Sequence, residues 1–353
     1  MTPNLLSEFE SDKFLDLRKK FLESYDSGKK MDEPVKLDFD SLPINKISPQ
    51  FEKCDHFETL NENEITHKIH PFYEEGLNPK SNFSNYLLAF LEEGIYLKPH
   101  SQKGYLKFFA KTGLTLEPVI VEFENDCTLF LHFSGGDGSV CLDFIRVFVK
   151  ENVKAKLFFL FENGKRGIDF SSKLENGSTL EVYPVVLKGE GIIFNSTHNI
   201  DKKDAFYVEK SVSLIKGKDK LRQITLVSEN EEGIKVDVEA RSILDDSSRC
   251  FIKGILNVEK RAKKSESHYG GHCLKFSKES KALIEPQLEI KSLDVKATHS
   301  ASVSNVDDEK VFYLESRGLE REKARKEIGI GFLSSFVKEN QFLEKKIEEN
   351  FNE

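Results

Sequence analysis

From about residue 99 to residue 304 the chain places apolar residues at every second position, in short runs that no helical stretch clearly interrupts. Val119, Val121 and Phe123 alternate with Ile120 and Glu122; Leu129, Leu131 and Phe133 form a second set, and Leu157, Phe159 and Phe161 a third. Val, Ile, Phe and Thr fill these runs, and Gly, Asn and Asp separate them. Period-two patterning bounded by turn formers predicts β-strands joined by tight connections. A doubly wound α/β fold needs a helix after each strand and is excluded.

The turns themselves hint at a repeat. Asn152-Val153-Lys154-Ala155, Asn176-Gly177-Ser178-Thr179, Asp246-Ser247-Ser248-Arg249 and Asp294-Val295-Lys296-Ala297 share one outline: an Asx residue turns the chain, and small residues lead into a strand. Residues 152, 176, 246 and 294 are separated by 24, 70 and 48 positions. These intervals fit one, three and two units of about 23 to 24 residues, in the range of stacked repeats. Asx turns also occur in β-sandwiches, but the spacing favours a parallel β-helix, a β-solenoid.

Two flanks differ from this core. Residues 1–98 mix amphipathic and turn-rich sequence, with apolar residues at helical spacing in Phe9 to Tyr25 and again from Tyr86 to Leu91, ending near Gly94. Residues 305–353 are predicted to be helical. Asp307 can cap a helix carrying Val311, Phe312 and Leu314, with Gly318 at its left-handed end. Ala324, Ile328, Phe332 and Phe336 then follow at four-residue spacing, as do Leu343, Ile347 and Phe351.

Charge and cysteine usage narrow the function. The net charge of -8 is opposite to what phosphate neutralisation requires, which argues against nucleic acid. No apolar run reaches the ~20 residues of a membrane span, and the first residues lack a secretory pattern, so a cytoplasmic protein is expected. None of the five cysteines sits in a C-x-x-C pair, so no zinc ribbon or ferredoxin-type site is expected. There is no G-x-x-x-x-G-K-[ST] loop and no Gly-rich dinucleotide loop.

Glu285-Pro286-Gln287-Leu288-Glu289-Ile290, then Leu293-Asp294-Val295-Lys296-Ala297-Thr298-His299, then Asp308-Glu309-Lys310-Val311-Phe312-Tyr313-Leu314-Glu315-Ser316-Arg317-Gly318 form a distinctive series. It resembles the SufB/SufD family of iron–sulfur cluster assembly proteins, whose pattern runs P-x-L-E-I, D-D-V-x-x-x-H, D-E-x-x-F-Y-L-x-S-R-G. Leu293 departs from that pattern, where the first Asp is expected. Ser300 follows His299 where SufB-like chains have Glu, so the chain is most like SufD. The resemblance implies a mainly β fold: a right-handed parallel β-helix over 99–304, with N-terminal and C-terminal helical regions. It implies a non-enzymatic scaffold that pairs with a SufB-type paralogue through the β-helix and docks the SufC ATPase through the C-terminal helices. It leaves room for a homodimer. No firmly bound cofactor is expected, only a transient iron–sulfur cluster in the complex.

Candidate residues follow from both readings. On a strand, His299 shares a face with Val295, Ala297, Ala301 and Val303, and a neutral imidazole suits iron or a cluster edge. Cys273 lies about two residues from the place where SufB-like chains carry a functional Cys, with His268 and His272 beside it. Thiolate and imidazole could hold iron, yet adjacent strand residues face opposite ways. Phe312, Tyr313 and Arg317 are the candidate docking residues, as aromatic anchors and a fixed charge. Competing readings are a SufB-like cluster scaffold, an adaptor solenoid without metal, and a β-helix carbohydrate enzyme. The last would need carboxylates repeated along one strand face, and none is seen.

Overall fold

The computed structural model describes residues 94–352 without a break, together with short stretches at 44–46, 49–50, 58–60 and 64–68. Its strands are β1 (Ile44–Lys46), β2 (Pro49–Gln50), β3 (Glu58–Thr59), β4 (Ile65–Lys68), β5 (Gly94–Leu97), β6 (Lys103–Ala110), β7 (Gly113–Phe123), β8 (Cys127–Gly135), β9 (Ser139–Val149) and β10 (Lys154–Glu162). They continue as β11 (Lys165–Leu174), β12 (Thr179–Leu187), β13 (Gly191–Ile200), β14 (Phe206–Ile215), β15 (Lys220–Glu229), β16 (Lys235–Leu244), β17 (Arg249–Val258), β18 (Ser265–Lys275), β19 (Lys281–Ile290) and β20 (Val295–Asn305). Three helices follow: α1 (Asp308–Glu315), α2 (Arg321–Ser334) and α3 (Gln341–Asn352). The helices expected at Phe9 to Tyr25 and Tyr86 to Leu91 lie outside the described residues. Among those described, no helix is long and apolar enough to cross a membrane.

Consecutive strands go to opposite sheets. One sheet runs β19-β17-β15-β13-β11-β9-β7-β5-β4, the other β2-β6-β8-β10-β12-β14-β16-β18-β20. From β6 onward each strand pairs in parallel with the second strand after it, so the chain coils as a two-sheet β-solenoid. Because parallel register keeps side chains of one parity stacked, the inward rows form one continuous apolar file. Val119, Val121 and Phe123, Leu129, Leu131 and Phe133, and Leu157, Phe159 and Phe161 all belong to it.

The repeat is longer than expected, and it is not constant. At one edge of the coil Asn152, Gly177, Asp204, Gly233 and Lys264 each adopt positive φ. Each donates its N–H across to the next rung: Asn152 to Asn176, Gly177 to Lys203, Asp204 to Glu232, Gly233 to Lys263 and Lys264 to Asp294, with N···O distances of 2.6–3.1 Å. The rung grows from 25 residues, where Ala155 lies opposite Leu180, to 32, where Cys250 lies opposite Ala282. The expected period of about 24 fails for this reason. Asp246 in fact turns the chain at the other edge, between β16 and β17.

The outer face of the second sheet is also buried, so β10 reads Leu-Phe-Phe-Leu-Phe without polar interruption. The C-terminal helices cover that face. Leu343, Ile347 and Phe351 of α3 are buried, as their spacing predicts, against a layer holding Phe130, Phe158, Leu160, Val185, Leu187, Val212 and Leu214. Burying each such side chain is worth roughly 1.5–3 kcal/mol. Helix α2 is rotated from its expected face: Ala324, Gly329 and Leu333 are buried, while Ile328, Phe332 and Phe336 flank them. Gly329 decides the rotation, because a Cβ there would lie 2.7–2.9 Å from the Phe276 and Phe351 rings.

Inside the coil a charge triad replaces apolar filling. Arg166 Nη1 lies 2.9 Å from Glu117 and 3.1 Å from Asp143, and all three side chains are sealed from solvent. Burial and the neighbouring Glu117 push the Asp143 carboxyl up, and Arg166 draws it back. Removing the cation would strand buried carboxylates, which costs about 3–5 kcal/mol. Arg166→Met is therefore expected to destabilise the coil by about that amount in denaturant unfolding. Adding Glu117→Gln and Asp143→Asn to it should recover a large share; equal stability of Arg166→Met and the parent would remove the triad's structural role.

Candidate functional site

The two ends of the solenoid differ. At the N-terminal end β4 adds antiparallel to β5, and β2 and β3 add to β6. At the C-terminal end β19 and β20 are the last strands of their sheets, with no further described strand beyond them. Their inward-facing rows are therefore left half-covered. On β19 this row is Ala282, Ile284, Pro286, Leu288 and Ile290; on β20 it is Val295, Ala297, His299, Ala301 and Val303. Val303 is 47 % exposed and Leu283, on the other face of β19, 53 %. Exposed edges are usually blunted by charge or proline. β20 carries a single charged residue, Lys296, among eleven.

His299 lies in this end surface. It is exposed, sits on the inward-facing side of β20 opposite Tyr269, and has apolar neighbours along its row. Cys273 is elsewhere. It is buried one rung deeper and opposite Val303, four residues along the strand from the His299 row, roughly 13 Å at strand rise. Its neighbour is Cys250. The hydrogen bond between the two thiols and their burial push the Cys250 thiol far up, which suits an inert core pair. The structure thus does not bring His299 and Cys273 together. His268 and His272 face the opposite way from Cys273, outward, as strand alternation requires.

Helix α1 follows β20 directly. The Asp307 carboxylate accepts the Glu309 N–H at 2.9 Å, and Gly318 closes the turn beyond the helix at φ 93°. Only Val311 is buried. Phe312 and Tyr313 are 71 % and 57 % exposed, and the Arg317 guanidinium lies 5.3 Å from the Tyr313 ring centre. Phe312 does not pack the cap, and Arg317 stacks on Tyr313 rather than on the helix end. The three predicted docking residues are thus together on one exposed short helix beside the open end.

A sequence model of the SUF-system FeS cluster assembly SufBD core domain matches residues 115–332, more than half of the chain. The chain belongs to the SufB/SufD family. It is 34 % identical over 97 residues to the iron–sulfur cluster assembly protein SufD of Escherichia coli, covering 28 % of this chain and 23 % of that one. It is also 34 % identical over 97 residues to SufD of Bacillus subtilis, covering 28 % and 22 %. A SufBD family protein of Staphylococcus aureus matches at 29 % over 189 residues, covering 53 % of this chain and 37 % of its own. The aligned part spans between about a fifth and two fifths of these curated relatives.

The SufD-like core also carries a polar interior that period-two reading does not reveal. His198 Nε2 is 2.7 Å from both Tyr207 Oη and Ser196 Oγ, and its Nδ1 is 2.7 Å from Ser172 Oγ. Burial, helped by Arg146, pushes this imidazole down to about 3, so it is neutral. Glu209 accepts from Ser196, Tyr207 and Thr225, and burial nevertheless raises it. Nearer the open end, Glu229 accepts from Ser267 at 2.6 Å, and burial pushes it up to about 7.

Glu229 gives a pH dependence with a definite sign. In the unfolded chain it ionises near 4.5, and in the fold near 7, so the native state holds the extra proton between these values. Stability is unaffected by this group below about pH 4.5, falls as pH rises to 7, and stays lower by about 3 kcal/mol above that. Glu229→Gln is expected to melt above the parent at pH 8 and alongside it at pH 4.5. A melting difference that does not widen over this range would count against a protonated Glu229.

Proposed function

We propose that this chain is a SufD-like, non-enzymatic scaffold for iron–sulfur cluster assembly, joining a SufB-type paralogue end to end and docking a SufC-type ATPase on α1. The open C-terminal end carries the reading. One end of the coil is capped, while the other leaves two strand edges and an apolar face uncovered. Strand addition to such an edge supplies main-chain hydrogen bonds for affinity and side-chain rows for selectivity. His299 would lie inside that joint, where a neutral imidazole can meet iron or a nascent cluster that is cargo rather than resident cofactor. The exposed Phe312, Tyr313 and Arg317 supply the aromatic and cationic anchors that typify binding hot spots.

Mixing the chain with its SufB-type and SufC-type counterparts and weighing the product by size exclusion with light scattering tests the whole reading. A complex holding all three is expected; a chain that ignores both, running alone or as a homodimer, overturns it. Ala301→Lys with Val303→Lys should abolish end pairing without unfolding, since both positions are already exposed. Tyr313→Ala with Arg317→Ala should weaken ATPase binding at least about tenfold and leave end pairing intact. His299→Ala should leave the complex whole and slow anaerobic cluster assembly; wild-type rates would end the role of His299.

A further inference from the structure

On the outer face of the second sheet, near but not within the open end, three strands form a regular grid. Asp237, His268 and Thr298 lie in one row across β16, β18 and β20; Glu239, Gly270 and Ser300 in the next; Arg241, His272 and Ser302 in the third. Gly270 is the centre of this grid and carries no side chain. The space above it is not filled from afar. A carbon placed there would lie 3.2 Å from His272 Nε2, 3.3 Å from His268 Nε2 and 3.0 Å from Glu239 Cγ. Two imidazole nitrogens and a carboxylate arm thus converge on one small gap.

The rings are held for this. His268 Nδ1 is 2.9 Å from Thr298 Oγ1, and His272 Nδ1 is 2.8 Å from Ser302 Oγ. A ring whose Nδ1–H donates to a hydroxyl presents the Nε2 lone pair, which is how metal-ligating histidines are oriented. His272 Nε2 has a 3.5 Å contact to Ser300 Oγ. Ligand atoms of Asp237, Glu239 and His268 already lie within 4.8 Å of one another, all half-buried. From β14, Lys210 touches both carboxylates, at 2.6 Å and 2.9 Å, so an ammonium now supplies the positive charge there. Arg241 is drawn away toward α2, donating to the Phe332 carbonyl at 3.0 Å.

We propose that His268, His272 and Glu239, with Asp237 in support, bind one divalent first-row transition-metal ion over Gly270. Two imidazoles and a carboxylate on one face are a donor set for zinc or ferrous-type ions, and a poor one for calcium or magnesium. Small rotations of the two rings bring both nitrogens to the ~2.1 Å of a metal–imidazole bond. Lys210 competes with the ion for Asp237 and Glu239, so its removal strengthens binding. The site does not depend on the scaffold reading, because His299 lies on the other face of β20.

Titrating the full-length chain with cobalt(II), followed by visible absorption and by displacement with zinc(II), tests this. One equivalent with ligand-field bands is expected. His268→Gln and His272→Gln should each weaken binding at least about tenfold, and Lys210→Met should tighten it. His299→Ala and Cys273→Ser should leave it unchanged. Binding that survives the double His268→Gln/His272→Gln variant, or that is absent in both the parent and Lys210→Met, overturns the proposal. The affected positions are half-exposed, and elution volume and far-ultraviolet dichroism confirm that the variants fold.

Discussion

A parallel coil is held together by stacking: every rung buries its inward row on the rung before it, and hands its unpaired edge to the rung after. The N–H donations that run from Asn152 through Lys264 are one visible line of that transfer. The consequence is that the last rung inherits an obligation that nothing in the described chain meets. Strands β19 and β20 have the apolar inward rows of core strands without a neighbour to cover them. The position of His299 on the surface, the exposure of Val303 and the candidate interface all derive from this single fact.

Lateral packing obeys a different logic. The outer face of the second sheet is as apolar as the interior, and α2 and α3 fold back along it, with the Phe342 ring 5.6 Å from Phe130 on β8. The C-terminal helices are therefore part of the solenoid's second core, anchored over several rungs. Only α1, too short to bury two faces, turns its aromatic residues outward. A partner held on α1 is attached to a stiff body and sits beside the last rung, so a load on one is felt at the other.

Much of the coil was legible in sequence because period-two alternation survives wherever only one face is buried. β7, β8 and β10 fall where the alternation put them, and the Asp307 cap, Gly318 and the stripe Leu343, Ile347, Phe351 lie as their spacing implies. The repeat was harder to see because its length increases from rung to rung, so aligning Asn152 with Asn176 and Asp246 mixes positions and edges. The Arg166 triad was hidden for a simpler reason: its partners are 49 and 23 residues away, and only the coil makes them neighbours. The strand parity of His268 and His272 was available from sequence, but their acidic companions on β16 were not. Cys273 was drawn toward His299 by family resemblance, and register separates them.

The growing rung has a geometric corollary. Strand lengths stay between 9 and 11 residues from β7 to β20, so the added residues enter the two connecting edges, and the perimeter of the coil increases along its axis. The molecule is a tapered cylinder that ends at its broad mouth. Another coil can continue both sheets across that mouth only if its own terminal perimeter is similar. A narrower one could meet the edge of β19 or of β20, but not both together. Circumference thus acts as a gauge that selects mates before any side chain is read.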